Sequence, residues 1–508
     1  MPWRCPCLDP PAQNGQRVVV SQRPRSGMFH RKSASESNDV SKHPALRRTL
    51  GTGHLLLFGV GAIVGAGIFS SIGQMAAGGG GVPGAGPALV ISYLLTAIAC
   101  GLSALCYAEI AGMVPVAGSA YSYAYAALGE IWAWIIGWDL VIEYAIGNVY
   151  VAQSWADYLR SFLTGAFGVD FPAWMATDMQ TVAADPILAA AAPHIAGIPI
   201  GFNLPAAAIT AMLTVVLVWG IRESARFNAA LVLFKLVLVI AFVAVGAFFV
   251  KASHWHPFAP GGWRGIWTGA SLAFFSYIGF DALSTAAEET IDPERMIPRA
   301  MLGSLAVSAA IYFAVALVMT GLVPSSELGV GDPLSRALRL AGLEGLGTVM
   351  ALGAIVAVTA VLLVFQMGQP RILLAMARDG LLPPAFARVH GRRRTPVVGT
   401  VVTGIFVGVA PTFLTPSQAL ELTSIGTLFA FIIVAIGVIA LRIREPERAR
   451  PFRCPGYPVT PILSVLACLA LMLGLPAANW WRFGIWLLIG LAIYAGYGYR
   501  RHERGSKI

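Results

Sequence analysis

GVGAIVGAGIF, Gly59 to Phe69, lies inside the first long apolar segment of the chain and carries four glycines: Gly59, Gly61, Gly65 and Gly67. A glycine in a helix interior costs about 1 kcal/mol relative to alanine, so the run needs a reason. Small residues let two membrane helices pack closely. A helix broken on purpose instead frees backbone groups that bind a ligand. The residues around the stretch bear on both readings.

Hydrophobic residues make up 57% of the 508 and charged residues only 12%, against about 25% charged in soluble domains. The mean hydropathy is +0.71. Apolar blocks of roughly 20 residues, each long enough to span a bilayer, recur at 54–78, 86–112, 131–159, 202–221, 229–250, 266–287, 299–323, 346–374, 396–414, 419–441, 459–476 and 481–499. Long apolar segments argue for an all-α integral membrane protein of twelve transmembrane helices, because a barrel would show short alternating segments.

The net charge of +10 raises nucleic acid as a partner, and the distribution of the charge argues against it. With the N-terminus placed in the cytoplasm, 28 Lys and Arg fall on the inner side, 6 on the outer side, and Lys235 within a span. That is the positive-inside pattern of a multi-pass protein of the cytoplasmic (inner) membrane with both termini cytoplasmic.

Residues 1–47 mix Ser, Arg, Asn and Pro without apolar periodicity and read as a disordered cytoplasmic tail. No cleavable signal peptide is expected, and Met28 is an alternative start. The six cysteines form no disulfide framework, and Cys5 and Cys7 are too little for a zinc site. No metal and no cofactor is expected. The excursion over 161–201 belongs outside, and Pro115–Glu130 is an inner interfacial stretch.

Internal symmetry adds to the reading. The first span is interrupted by glycine, and five spans later FFSYIGFD, Phe274 to Asp281, is interrupted again near mid-membrane. Two such segments at corresponding positions point to an inverted repeat with the site between its halves. Residues 48–250 form the first five-helix repeat, 251–443 the second, and 444–508 two further C-terminal helices with a short tail.

If the first span unwinds around Val64–Gly67, its second half starts near Gly67–Ile68 with exposed N–H groups and a positive dipole end. A carboxylate suits such a terminus. The first half then ends in carbonyls near Gly61–Val64 that can receive an ammonium, as can those near Phe274–Tyr277, where Gly279 permits the break. An α-amino acid zwitterion presents both groups.

Lys235, in LVLFKLVLVIAF, has no charged neighbour in sequence. A charge near the bilayer centre costs about 2.5–3.5 kcal/mol on insertion scales, so it is expected to point inward; snorkelling to the interface is the alternative. Asp139 and Glu143 lie four apart and share a helix face. Glu109 and Asp139 sit toward the inner edge, within reach of cytoplasmic arginines, and Asp281 either caps the restarted sixth helix or takes part in gating.

The stretches GVGAIVGAGIF, VAGSAYSYAYAALGE, IIGWDLVIEYAIG, GIRESARFNAALVLFKLVLVIAF, FFSYIGFDALSTAAEETIDPERMIPRA and GQPRILLAMARDGLLPPAFARVHGRRRTP, in that order from about Leu50 to Tyr499, resemble the amino acid–polyamine–organocation superfamily. Within it they resemble the cationic amino acid transporter family and its bacterial relatives. The resemblance implies a 5+5 inverted repeat with discontinuous helices 1 and 6 plus two C-terminal helices. It also implies a secondary active amino acid permease working by alternating access.

The implied substrate-binding residues are Ile63, Val64, Gly65, Ala66, Gly67, Ile68, Phe274, Phe275, Tyr277, Ile278 and Gly279, with Phe275 closing over the substrate and Glu143 shaping the pocket. Lys235 occupies the place of sodium in sodium-coupled relatives. It would bridge the first-span carbonyls near Gly61 and Val64 and the hydroxyl of Thr359, giving proton-coupled symport. From their positions alone, Asp139 and Asp281 are the expected gating acids.

The partners expected are a small-molecule amino acid, the proton and membrane lipid, with no nucleic acid. An amino acid exchanger and a non-transporting amino acid sensor of the same fold are the alternatives. No Walker A motif supports ATP drive, and no H-E-x-x-H supports an enzyme.

Overall fold

The computed structural model describes residues 51–79, 81–113, 119–220, 225–281, 283, 290–391 and 395–498. Among the described residues, helices cover most of each apolar block, and strands are confined to two short hairpins, Gly78–Gly79 with Val82–Pro83 and His194–Ile195 with Ile198–Pro199. Among the described residues, 7 helices are long and apolar enough to cross a membrane, and a pair bent by 114° at residues 474–476 makes up to 8.

The first span is α1 (Thr52–Ile63), a break, a π-turn over Gly67–Ser71, and α2 (Ile72–Ala77). It is followed by α3 (Leu89–Met113) and the short α4 (Ser119–Ala127), which lies in the expected interfacial stretch. Next come α5 (Glu130–Val141) and α6 (Gly147–Phe167), joined by a π-turn over Ile142–Ile146. In the 161–201 excursion, Asp178 and Asp185 cap two short helices, accepting from Thr181 N and Ile187 N.

Asn203 caps α7 (Leu204–Trp219), whose end is set by the left-handed Gly220. Then follow α8 (Ala225–Gly246), α9 (Gly262–Tyr277), α10 (Pro293–Leu322), the short loop helix α11 (Pro333–Leu340) and α12 (Glu344–Arg378). The chain closes with α13 (Val397–Val409), α14 (Pro416–Arg444), α15 (Val459–Leu473) and α16 (Ala477–Ile493). A capping box between Thr415 and Gln418 starts α14.

Packing sorts these helices. One group joins α1, α3, α9 and α10; a second joins α6 to α12 and α7 to α13. The helix α8 touches α1, α10 and α12, and so borders both groups. Ser92 and Thr96 on α3 donate to the Ile266 and Ala270 carbonyls of α9, at 2.8 and 2.7 Å. Such bonds suit an environment where water cannot satisfy a buried hydroxyl.

At the expected inner edge, the fully buried Glu109 of α3 accepts from Arg442 of α14 through two bonds, of 2.8 and 2.6 Å. It also accepts from the main-chain N–H of Cys454 at 2.7 Å, and Arg450 lies 3.5 Å away. The arginine partner expected for Glu109 is therefore present. Asp139 is different: it packs against Gly426 of α14, and its Oδ1 has no hydrogen-bond partner among the described residues.

Removing one partner of a buried pair leaves an uncompensated charge, a loss of about 3–5 kcal/mol. Glu109→Gln is therefore expected to lower the thermal unfolding midpoint of the detergent-purified protein by several degrees. An unchanged midpoint would show that Glu109 does not hold this corner.

Candidate functional site

The site begins with the two breaks. Val64 leaves the helical conformation at φ −71°, ψ 90°, although its N–H still bonds the Val60 carbonyl at 2.8 Å. The next turn starts at Gly65, whose carbonyl accepts from Ile68 and Phe69 at 3.2 and 3.4 Å. The first turn of a new helix leaves N–H groups without intrahelical partners, and here that turn is Gly65–Gly67. In the sixth span, α9 stops at Tyr277, and Gly279 takes φ +116°. That conformation strains any residue with a Cβ, so the glycine there is conformational.

The glycines of the first break are placed by space, and neither Gly65 nor Gly67 has a left-handed φ. A methyl group on Gly67 would fall on the Ser276 backbone, one on Gly65 would meet Val361 at 3.0 Å, and one on Gly279 would reach the Ala62 carbonyl oxygen at 2.7 Å. The broken segments therefore cross in direct backbone contact. Gly59 lies against Ser304 and Leu283, and Gly61 against Val232 of α8. Packing and breakage, the two readings of GVGAIVGAGIF, hold together in one stretch.

The freed carbonyls of Ile63 and Ser276 converge. Both accept from the hydroxyl of Tyr312 on α10, at 2.7 and 2.6 Å. Tyr93 of α3 and Tyr277 pack against Tyr312 at ring-centroid distances of 5.3 and 5.2 Å. The Ser276 hydroxyl lies 3.3 Å from Ser71 and 3.4 Å from Tyr93, and Ser71 donates to the Gly67 carbonyl at 2.7 Å. Sequence reasoning missed Tyr312, Tyr93 and Ser276. The available signal was polar side chains within apolar spans, because a buried phenol usually finds a hydrogen-bond partner.

The other expected residues lie as follows. Val64, Ile68, Phe274 and Tyr277 are fully buried, and Ala66, Phe275 and Ile278 nearly so. Phe275 meets Tyr150 of α6 edge to face at 5.3 Å. Lys235 donates its Nζ to the Gly61 carbonyl. The Thr359 hydroxyl is engaged elsewhere: it accepts from Trp155 at 2.9 Å and donates to the Ile355 carbonyl at 2.7 Å. Buried Glu143 faces Thr427 and Asp281. Asp281 is also buried, and the restarted helix it was expected to cap falls on 284–289, outside the described residues.

Contacts close the site on both sides. On the side expected to face outward, Ser70 bonds Ser154, Tyr158 donates to the Phe69 carbonyl, and a methyl on Gly73 would fall against Leu328 and Pro333. The loop helix α11 is tied down by Arg339, which pairs with Asp332 at 2.9 Å and reaches the Ser161 carbonyl at 3.3 Å. Burial raises the Asp332 carboxyl, while the Ser161 hydroxyl and Arg339 oppose that rise. Toward the other side, Tyr121 of α4 donates to Asp379 at 2.7 Å. Burial, and then the Asp379 carboxylate, hold the Tyr121 phenol well above its usual range.

Tyr312→Phe keeps the ring stack and strands the Ile63 and Ser276 carbonyls; unpaired buried polar groups cost about 1–3 kcal/mol each. This variant and Gly67→Ala are expected to insert normally and to lose ligand-induced thermal stabilisation. Wild-type stabilisation in both would remove the crossing from the site.

A family profile described as Amino acid permease matches residues 50–494. The chain is 41% identical over 482 residues to a methylthioribose transporter of Bacillus subtilis (strain 168), covering 95% of this chain and 100% of the relative. It is 40% identical over 482 residues to the branched-chain amino acid permease BcaP of the same organism, covering 94% and 99%. It is 35% identical over 462 residues to the chloroplastic cationic amino acid transporter 9 of Arabidopsis thaliana, covering 89% and 77%. These relatives are named as transporters and not as enzymes. Matched over nearly all its described residues, including both breaks, the chain belongs to the amino acid permease family.

Proposed function

We propose that this protein carries an α-amino acid across the cytoplasmic membrane by alternating access, with uptake coupled to protons. The observation that carries the reading is the convergence of the Ile63 and Ser276 carbonyls on one hydroxyl. A phenol holds a single proton and an ammonium holds three. A substrate ammonium arriving at Tyr312 can therefore satisfy both carbonyls, while its carboxylate meets the N–H groups at Gly65–Gly67. Phe275 and Tyr150 form the lid over the side chain.

The proposed architecture is twelve spans in a 5+5 inverted repeat with two added C-terminal helices and both termini inside. The packing of α3 on α10, α6 on α12 and α7 on α13 supports it. These are the second and seventh, third and eighth, and fourth and ninth spans, the pairs that an inverted two-fold brings face to face. The basic residues clustered in alternate loops support the orientation. In this reading the membrane lipid is the surrounding solvent.

Lys235 is the proposed proton-coupling residue, with the Gly61 carbonyl as its partner. Charged, it holds the end of α1 through a charge-assisted bond to Gly61; neutral, it holds it more weakly. Thr359 enters this scheme only if its bonds to Trp155 and Ile355 rearrange. Glu143, Asp139 and Asp281 are buried acids in or near the same layer and are proposed to shape the pocket and its inner gate.

In proteoliposomes, an inward proton gradient is expected to drive uptake by the wild type, and Lys235→Gln should abolish that drive while still inserting into the membrane. Gradient-driven uptake by Lys235→Gln would overturn the coupling. Counterflow without a gradient in the wild type, and none of the expected acceleration by protons, would show an exchanger.

Because ligand binding raises apparent stability by mass action, a thermal-shift screen against the twenty amino acids and methylthioribose names the substrate. Stabilisation by methylthioribose alone would overturn the amino acid reading, since that sugar has neither ammonium nor carboxylate.

A further inference from the structure

The two C-terminal helices are bonded to different neighbours. On α15, the Ser464 hydroxyl lies 2.9 Å from that of Ser103 on α3. Further along, the Ala470 and Leu471 carbonyls accept from Trp267 and Ser271 of α9, at 2.7 and 2.6 Å. A methyl on Gly474 would fall on the same two side chains, so the end of α15 is seated directly on α9. Both α3 and α9 belong to the group that carries the breaks.

On α16 the main partner is α5. Trp138 and Trp486 stack at 4.6 Å between ring centroids, and each indole donates to the other residue's carbonyl, at 2.8 and 3.3 Å. Trp134 donates to the Gly490 carbonyl at 2.9 Å, and a methyl on Gly490 would fall on Trp138. Just past α16, Tyr494 donates to Glu130 at the start of α5, at 2.9 Å. Hydrogen bonds and close packing are what hold helices together in lipid, where apolar burial gives no advantage. The helix α5 runs through its π-turn into α6 and so belongs with the second group. Between the groups, α14 touches α3, α9 and α6 alike and lies beside both C-terminal helices, accepting from Asn479 of α16 at the Glu421 carbonyl, at 2.9 Å.

Only the 474–476 turn joins α15 to α16. From Leu473 to Ala477 a fully extended chain reaches about 14 Å, so the turn is a tether as well as a connection. It also sits at a seam. Pro476 lines a cleft with Met75 of α2, Thr268 and Leu272 of α9, and Leu420 of α14. This is the side expected to face outward, where the two broken spans would part from the second group.

We propose that α15 and α16 are a strap across the two groups. Helix α15 travels with α3 and α9, α16 travels with α5, and the 474–476 turn bends in each cycle and limits the opening on its side. The strap rests on the alternating-access reading, because a carrier that does not rock leaves the turn at rest.

The test uses full-length protein in proteoliposomes, with its native cysteines replaced by serine and spin labels on pairs of new cysteines at exposed positions. Pulsed electron paramagnetic resonance measures each distance with and without an equimolar mixture of the twenty amino acids. Ile98→Cys with Met212→Cys, α3 to α7, reports the rocking itself. Ile98→Cys with Leu463→Cys, α3 to α15, and Met212→Cys with Ile485→Cys, α7 to α16, are expected to hold their distances. Leu463→Cys with Ile485→Cys, across the turn, is expected to shift by several ångströms.

In a second arm, two glycines inserted after Leu475 slacken the strap. With Thr268→Cys as the target, a membrane-impermeant thiol reagent is expected to label the lengthened protein severalfold faster than the original. The distance measurements need no insertion, so they decide even where the lengthened protein does not fold.

A fixed Leu463–Ile485 distance beside a moving Ile98–Met212 distance, movement within either of the two pairs expected to hold, or unchanged labelling of the folded, lengthened protein would each overturn the strap alone. An Ile98–Met212 distance that never moves is the failure of the alternating-access reading, and the strap falls with it.

Discussion

The contact on which this structure turns is the backbone crossing of two interrupted helices, Gly67 on Ser276 and Gly279 on Ala62. A break in a membrane helix exposes N–H and C=O groups that lipid cannot satisfy, so it persists only inside protein. Each break here is covered by the other. The close approach lets a single tyrosine, Tyr312, reach carbonyls from both, and it leaves a first turn of N–H groups beside them. Without the absence of a side chain at Gly67, the two segments would part, and carbonyls and N–H groups would no longer face the same small volume.

Much of the surrounding architecture supports this crossing. Lys235 holds the Gly61 carbonyl just before the first break, while Val232 on the same helix fills the space that Gly61 leaves. Ser70 and Tyr158 tie the segment after the break to α6, and Ser154 donates onward to the Gly331 carbonyl in the loop before α11 at 2.8 Å. Motion of the first span is therefore mechanically linked to the closure formed with α6 and the 323–332 loop. Such links are what an alternating-access carrier requires, because only a bistable arrangement converts a small change at the site into opening on one side.

Several parts of this arrangement were readable in the linear sequence because their signals are local. Apolar blocks marked the helices, and the repeated glycine interruption in Gly59–Phe69 and Phe274–Asp281 marked where two of them break. That Lys235 points inward was legible, since a lone charge in lipid must find a polar partner, whereas its pairing with Gly61 was implied only by the family resemblance. The role of Gly65 and Gly67 was only half legible. Sequence distinguishes poorly between a glycine needed for its φ and one needed for room, and here Gly279 is the first kind and Gly67 the second. Thr359 shows the limit more sharply: a helix carries its hydroxyls all round, and the one expected to face Lys235 is taken up by Trp155.

By itself, then, the sequence determined a mostly helical membrane protein, the places where two of its helices break, and a charge that must be buried within a span. Those follow from one-dimensional constraints, namely span length, charge cost and backbone freedom. Which side chains satisfy the freed groups was decided only by tertiary structure. Tyr93, Tyr312 and the Glu109–Arg442–Cys454 corner are joined across helices far apart in the chain. Their meeting depends on how helices rotate and cross, and rotation about a helix axis is set by packing against neighbours that the local sequence does not contain.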